Sequence, residues 1–276
     1  MRMPIRRRVL TGIVATGLIV AAPRASTFDH EYWDYAKVLH DYLRATRVDY
    51  TELRRGRSAL DAVVTQLAEP GADEERRWTR DERLALWINA YNIFTLRAIV
   101  DHYPIRSTLF TLQPRNSIRQ IDGVWTTLTW KAAGRTLTLD DIEHKILRPE
   151  FKEPRVHFAV NCASVGCPPL GAEPYRPATL DTQLDAAARR YLASERGTSI
   201  DGSILRVTEI LEWYGEDFVA RFAPDAAGAA DRVDRAIRGV VARFGPPAAA
   251  DLARKPTTRI RFLDYDWSLN DTAADR

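Results

Sequence analysis

The sequence predicts an α+β fold: a single domain over residues 26–276, with a central buried helix, flanking helices and a small, mainly antiparallel sheet. Three observations lead there. Helical periodicity recurs along the chain, one stretch over 84–100 is apolar on nearly every side, and short runs of strand character are punctuated by turn residues. The chain has 276 residues. About 250 remain after an export signal, enough for one large or two small domains. No internal repeat, low-complexity linker or clean boundary divides them, so one domain is the simplest arrangement.

The elements follow in chain order. Residues 1–25 have the shape of an export signal. Arg2, Arg6, Arg7 and Arg8 form a basic opening, and residues 9–22 are an apolar run too short for a comfortable membrane span. Arg6-Arg-Arg-Val-Leu10 also suits a twin-arginine signal. The expected location is therefore periplasmic or secreted, with no stable membrane insertion once the signal is removed. Residues 29–47 read as an amphipathic helix and 51–67 as a second, ended by Pro70-Gly-Ala. Thr79-Arg-Asp-Glu opens the strongest helix with a capping threonine and first-turn acids, and its apolar run lasts from Leu84 to Val100, where Tyr103-Pro follows. Residues 124–130 and 136–139 have strand character around the turn Ala132-Ala-Gly-Arg. Thr138 can cap a short helix over 139–147, closed by Pro149. Val156, Phe158 and Val160 alternate with His157, Ala159 and Asn161, the period-two signature of a half-buried strand that Gly166-Cys-Pro-Pro stops. Helices over 180–193, 209–222 and 226–244, a strand pair over 199–208 and a last strand over 259–267 complete the reading.

The basic balance belongs to the opening residues: without the five arginines of residues 1–25, where no acid occurs, the formal charge falls from +3 to −2. Acids and bases are interspersed in the rest, so nucleic-acid binding, which needs a basic face, is not supported.

Both cysteines sit where the predicted strand gives way to loop, a place where a rigid scaffold can hold a reactive group and a loop can admit substrate. On the 139–147 helix, Leu139, Ile142 and Ile146 mark the apolar face. Glu143 falls inside that sector and His144 at its margin. A thiol enzyme needs a thiolate, a histidine that takes and returns its proton, and a polar group that orients the ring. Cys162 is the candidate nucleophile. His144 is the candidate base, because His157 has the opposite side-chain parity on the strand; Glu143 or His157 would orient the ring. Asn89 and Asn92 share one face of the buried helix. They bond neighbouring backbone or help shape a substrate pocket, as does Cys167. Two other readings compete. An exported chain with two cysteines commonly closes a disulfide, and a Cys162–Cys167 bridge would make this a non-catalytic binding or scaffold domain. The residue types are also zinc-compatible, but the spacing ranks a metal below the thiol, and no cofactor is expected. The partner would be a small-molecule or peptide substrate.

Several landmarks together resemble the family catalogued as domain of unknown function 547 (DUF547). They are Trp87-Ile-Asn-Ala-Tyr-Asn92, Ile142-Glu-His144, Arg155-Val-His-Phe-Ala-Val-Asn-Cys162, Cys167-Pro-Pro169, Trp213-Tyr214 with Asp217-Phe218, and Tyr265-Asp-Trp-Ser-Leu-Asn270. They run in order across essentially the whole chain after the signal. The resemblance implies a relationship to papain-like or transglutaminase-like cysteine hydrolases and favours Glu143, His144, His157 and Cys162 as the site. Because the histidines here precede the cysteine, it implies a permuted arrangement.

Overall fold

The computed structural model describes residues 28–106 and 113–275. The export signal read in residues 1–25 lies outside the described residues. Within them the α+β expectation holds: helices dominate, and the strands form three small sheets.

The chain enters through α1 (Trp33–Tyr42), a hairpin of β1 (Leu43–Arg44) and β2 (Arg47–Val48), then α2 (Tyr50–Arg55), α3 (Ser58–Ala68) and α4 (Ala72–Glu75). The two helices expected over 29–47 and 51–67 are thus shortened by the hairpin and divided near Gly56. α5 (Arg80–His102) follows as expected. Thr79 accepts from the Glu82 N–H while the Glu82 carboxylate accepts from the Thr79 N–H at 2.7 Å, which satisfies donors that a helix start leaves open. Every residue from Leu84 to Leu96 is buried, so α5 is the axis of the first core.

β3 (Trp130–Ala132) and β4 (Arg135–Leu137) form the predicted hairpin, but residues 124–127 are turns and 128–129 irregular rather than strand. Gly123 takes a φ of +63°, and its carbonyl accepts from the N–H groups of Thr126, Thr127 and Leu128, which winds the segment up. Thr138 and Asp141 then exchange side-chain to backbone bonds at 3.0 Å each and start a helical segment with π-register bonding, Asp141–Phe151. It runs through Pro149 instead of ending before it. In the wider π turn the carbonyl one turn back is five residues away, which relieves the clash that proline makes in an α-helix.

Residues 156–162 are not the expected strand. Glu153 accepts from the Arg155 N–H, Pro154 takes the first helical position, and Pro154–Phe158 form a 3-10 helix. From Val156 to Asn161 the apolar and polar residues are all buried: Val156, Ala159 and Val160 enter the first core and Phe158 the second. The alternation therefore does not divide core from water, because both sets of residues are buried where the two interiors meet. The second core is built by α6 (Leu180–Leu192), β5 (Thr198–Asp201), β6 (Ile204–Thr208), α7 (Ile210–Trp213), α8 (Gly215–Phe222), α9 (Arg232–Phe244), α10 (Pro247–Ala253) and β7 (Arg259–Leu263). β5 and β6 pair antiparallel, and β7 adds parallel to β6. No helix among the described residues is long and apolar enough to cross a membrane.

Candidate active site

A cavity of about 300 Å³ opens beside the seam between the two cores. Cys162, Cys167, Glu143, His144 and His157 all line it.

Cys162 is aimed by a tight turn. Asn161 donates to the Pro168 carbonyl at 2.7 Å and accepts from the Ala163 N–H at 2.9 Å, and Ala163 adopts a left-handed φ of 59°. For a residue with a Cβ that conformation costs about 1–2 kcal/mol, and the surrounding bonds hold it. Gly166 lets the chain after β7 approach: a Cβ there would lie 2.8 Å from the Asp266 nitrogen. That approach brings Tyr265 over the sulfur. Cys162 Sγ lies 3.1 Å from Ser164 Oγ, 3.1 Å from Tyr265 Oη and 2.9 Å from Cys167 Sγ, and both cysteines are free thiols. The Cys167 thiol, and then the Ser164 and Tyr265 hydroxyls, outweigh burial and hold the Cys162 thiol down to about 7. Burial and the neighbouring Cys162 push the Cys167 thiol up. The two sulfurs therefore differ in kind: one favours the thiolate, the other stays protonated.

His157 is buried and stacked on Tyr214, with ring centroids 3.9 Å apart. Its Nε2 lies 2.8 Å from Asp217 Oδ2 and its Nδ1 4.0 Å from Glu143 Oε1. Asp217, on α8, also accepts from Arg148 Nε at 2.6 Å and Nη2 at 3.0 Å. Burial works against its charge, but His157 and Arg148 outweigh it and hold the carboxyl well below the usual carboxylate range. His144 is placed differently. Its side chain is 40 % exposed, with Nδ1 3.0 Å from Arg148 Nη1 and Nε2 3.8 Å from Asp140. No hydrogen bond joins Cys162 to either ring.

Asn89 and Asn92, expected to shape the pocket, do not line it. Asn89 bonds both backbone groups of Tyr175 at 2.8 and 3.0 Å, its N–H to the carbonyl and its oxygen from the N–H. Asn92 does the same between the Ala159 carbonyl and the Asn161 N–H, at 3.0 and 2.8 Å. Asn92 thus pins the segment that carries Cys162 to α5, and Asn89 pins the later stretch at Tyr175, which is the backbone-bonding role the sequence also allowed.

Sequence reasoning assigned no site role to Asp217, Arg148, Ser164, Tyr265 or Arg119. Asp217 and Tyr265 did belong to aromatic clusters singled out in the sequence. The rest of the lining is largely aromatic: Tyr91, Trp125, Trp213, Tyr214, Tyr265 and Trp267. Trp213 and Trp267 stack with centroids 5.9 Å apart, and Arg119 lies over the Trp267 ring at 4.6 Å. No group of three or more metal-ligating side chains occurs among the described residues.

Fold and site thus define an α+β protein with a polarised dithiol and a carboxylate-held imidazole on one aromatic-walled cavity. Residues 75–192 match the model of the family described as protein of unknown function, DUF547. That match includes α5, both cysteines and both site histidines, and stops before Asp217 and Tyr265. No curated protein and no solved structure matches the chain.

Proposed function

We propose that the cavity is a thiol-dependent amide or peptide hydrolase, or acyl-transfer, site. One observation carries the reading: a thiol held down to about 7 shares a cavity of about 300 Å³ with a buried histidine fixed by a carboxylate. Cys162 is the nucleophile. Its thiolate is favoured by neighbouring thiol and hydroxyl groups, so deprotonation does not require contact with an imidazole. His157, rather than His144, is the acid–base group in this reading, because it is buried, oriented by Asp217 and faced by Glu143. The thiolate adds to the carbonyl carbon and the C=O electron pair moves onto oxygen. Collapse of that species breaks the C–N bond, and the leaving amine takes a proton from the His157 imidazolium. Water then opens the thioester, giving a proton to the imidazole and releasing the acid and the thiolate; an amine in place of water gives acyl transfer.

The test combines alkylation with turnover. Iodoacetamide should modify Cys162 first, with a rate that rises through a midpoint near 7. A panel of small amides and peptides should be turned over by the native protein and by neither Cys162→Ser nor His157→Gln. Equal turnover by Cys162→Ser sinks the reading. The aromatic lining also favours an alternative, a non-catalytic binding or scaffold domain that oxidation of the two cysteines to a disulfide would stabilise. It predicts ligand binding without turnover and lower stability on reduction. In either case the basic and then apolar residues 1–25 support a periplasmic or secreted location.

A further inference from the structure

The cavity carries charges that no lysine or arginine ion pair neutralises. Arg119 lines it with its guanidinium on the face of Trp267, and among the described residues no carboxylate pairs with it. Elsewhere Arg148, Arg155 and Arg176 each end on carboxylates. Asp140 and Glu143 line the same cavity, and among the described residues neither forms an ion pair with a lysine or arginine. The imidazoles of His144, at 3.8 Å, and His157, at 4.0 Å, approach them, and the Tyr214 hydroxyl bonds to Glu143. Burial raises the Asp140 carboxyl, outweighing the nearby His144 and Lys145.

One cation without a carboxylate partner and two acids without a lysine or arginine partner, on one wall set, are the complement of a zwitterion. A phosphate has no cation of its own and would meet two carboxylates with added negative charge. A peptide with both termini free answers both signs, and about 300 Å³ is the small end of ligand pockets. We propose that the cavity takes a short peptide of two or three small residues, its carboxylate held by Arg119 and its ammonium by Asp140 and Glu143. Arg119 is then a specificity-determining residue. The proposal rests on the cavity being the substrate site of the hydrolase described above.

Titration calorimetry with the Cys162→Ser protein tests it with three probes: trialanine, its C-terminal amide and its N-acetyl form. Free trialanine is expected to bind about tenfold or more tightly than either blocked form, the scale of one charge-assisted hydrogen-bonding group. Arg119→Gln should erase the preference over the amide and keep the preference over the acetylated form; Arg119→Lys should retain part of the former. Equal binding of all three probes overturns the proposal, as does binding of none, or displacement by inorganic phosphate at lower concentration than by trialanine. The expected pattern with no hydrolysis by the native protein retires the hydrolase reading and leaves the zwitterion site standing. Hydrolysis of free and blocked peptides alike retires only the zwitterion site.

Discussion

The two chemical walls of the cavity are built on opposite principles. Around Cys162 the polar groups are neutral: the Cys167 thiol and the hydroxyls of Ser164 and Tyr265, all within 3.1 Å of the sulfur. Around His157 they are charged: Asp217, with Arg148 behind it, on one ring nitrogen and Glu143 facing the other. Neutral donors stabilise a thiolate through short bonds whose strength depends little on ionic strength. The charged wall instead fixes a ring by a chain of ion pairs whose integrity depends on pH. Thiolate formation and proton transfer are thus assigned to separate sets of residues, and each set can be damaged without the other.

The largest separation is expected from Asp217→Asn. It removes the charge that orients His157, and turnover should fall by about 10²–10⁴, while the alkylation rate of Cys162 at neutral pH stays close to that of the native protein. The same variant changes the acid limb of stability. The folded Asp217 carboxyl titrates below its unfolded value of roughly 3.9. Its contribution is therefore complete above that value and is lost as pH falls through the folded one. Denaturant unfolding at pH 6 and pH 3 should show the native protein losing a margin on acidification that Asp217→Asn has already lost. Parallel loss of turnover and thiol reactivity would merge the two walls into one ion pair.

A smaller effect of opposite selectivity is expected from Tyr265→Phe. It removes one of the groups holding Cys162 down to about 7, so the alkylation midpoint should move up. The loss of one hydrogen bond to a charged sulfur is worth roughly one unit, and reactivity at neutral pH should drop several-fold. The acid limb should be unchanged, because Asp217 keeps both of its partners. A midpoint that does not move would assign the low value to Cys167 and Ser164.

The sequence made one side of this contrast easier to read than the other. Cys162, Cys167, Glu143, His144 and His157 fall within 25 residues, and the structure places all five on one cavity. The capping box of α5, the hairpin after Trp130 and the β5–β6 pair were legible because each depends on neighbours a few residues apart. The strand expected over 156–162 failed because period two presumes one wet face, whereas Val156, His157, Phe158 and Val160 are all buried between two cores. Asp217 and Tyr265 meet the site across 60 and 103 residues of chain. Only the fold brings such partners together; local periodicity carries no trace of them. The choice between the histidines had the same weakness. It rested on strand parity, and the segment is a 3-10 helix.

The smallest effect is expected from His144→Ala, and for that reason it sharpens the contrast most. His144 shares the cavity and sits 3.0 Å from Arg148, so loss of its ring could act either as loss of a base or as loss of a minor contact. Arg148 reaches Asp217 through Nε and Nη2, whereas His144 meets Nη1. The Arg148–Asp217–His157 chain therefore survives the substitution. With its side chain 40 % exposed, His144 is solvated in the free protein, and contacts of that kind are worth about 0–1 kcal/mol. Turnover should fall by less than about fivefold, the equivalent of 1 kcal/mol, and Cys162 reactivity should not change. A loss matching that of His157→Gln would instead make the exposed ring the acid–base group, and would move the charged wall from α8 to the Asp141–Phe151 segment.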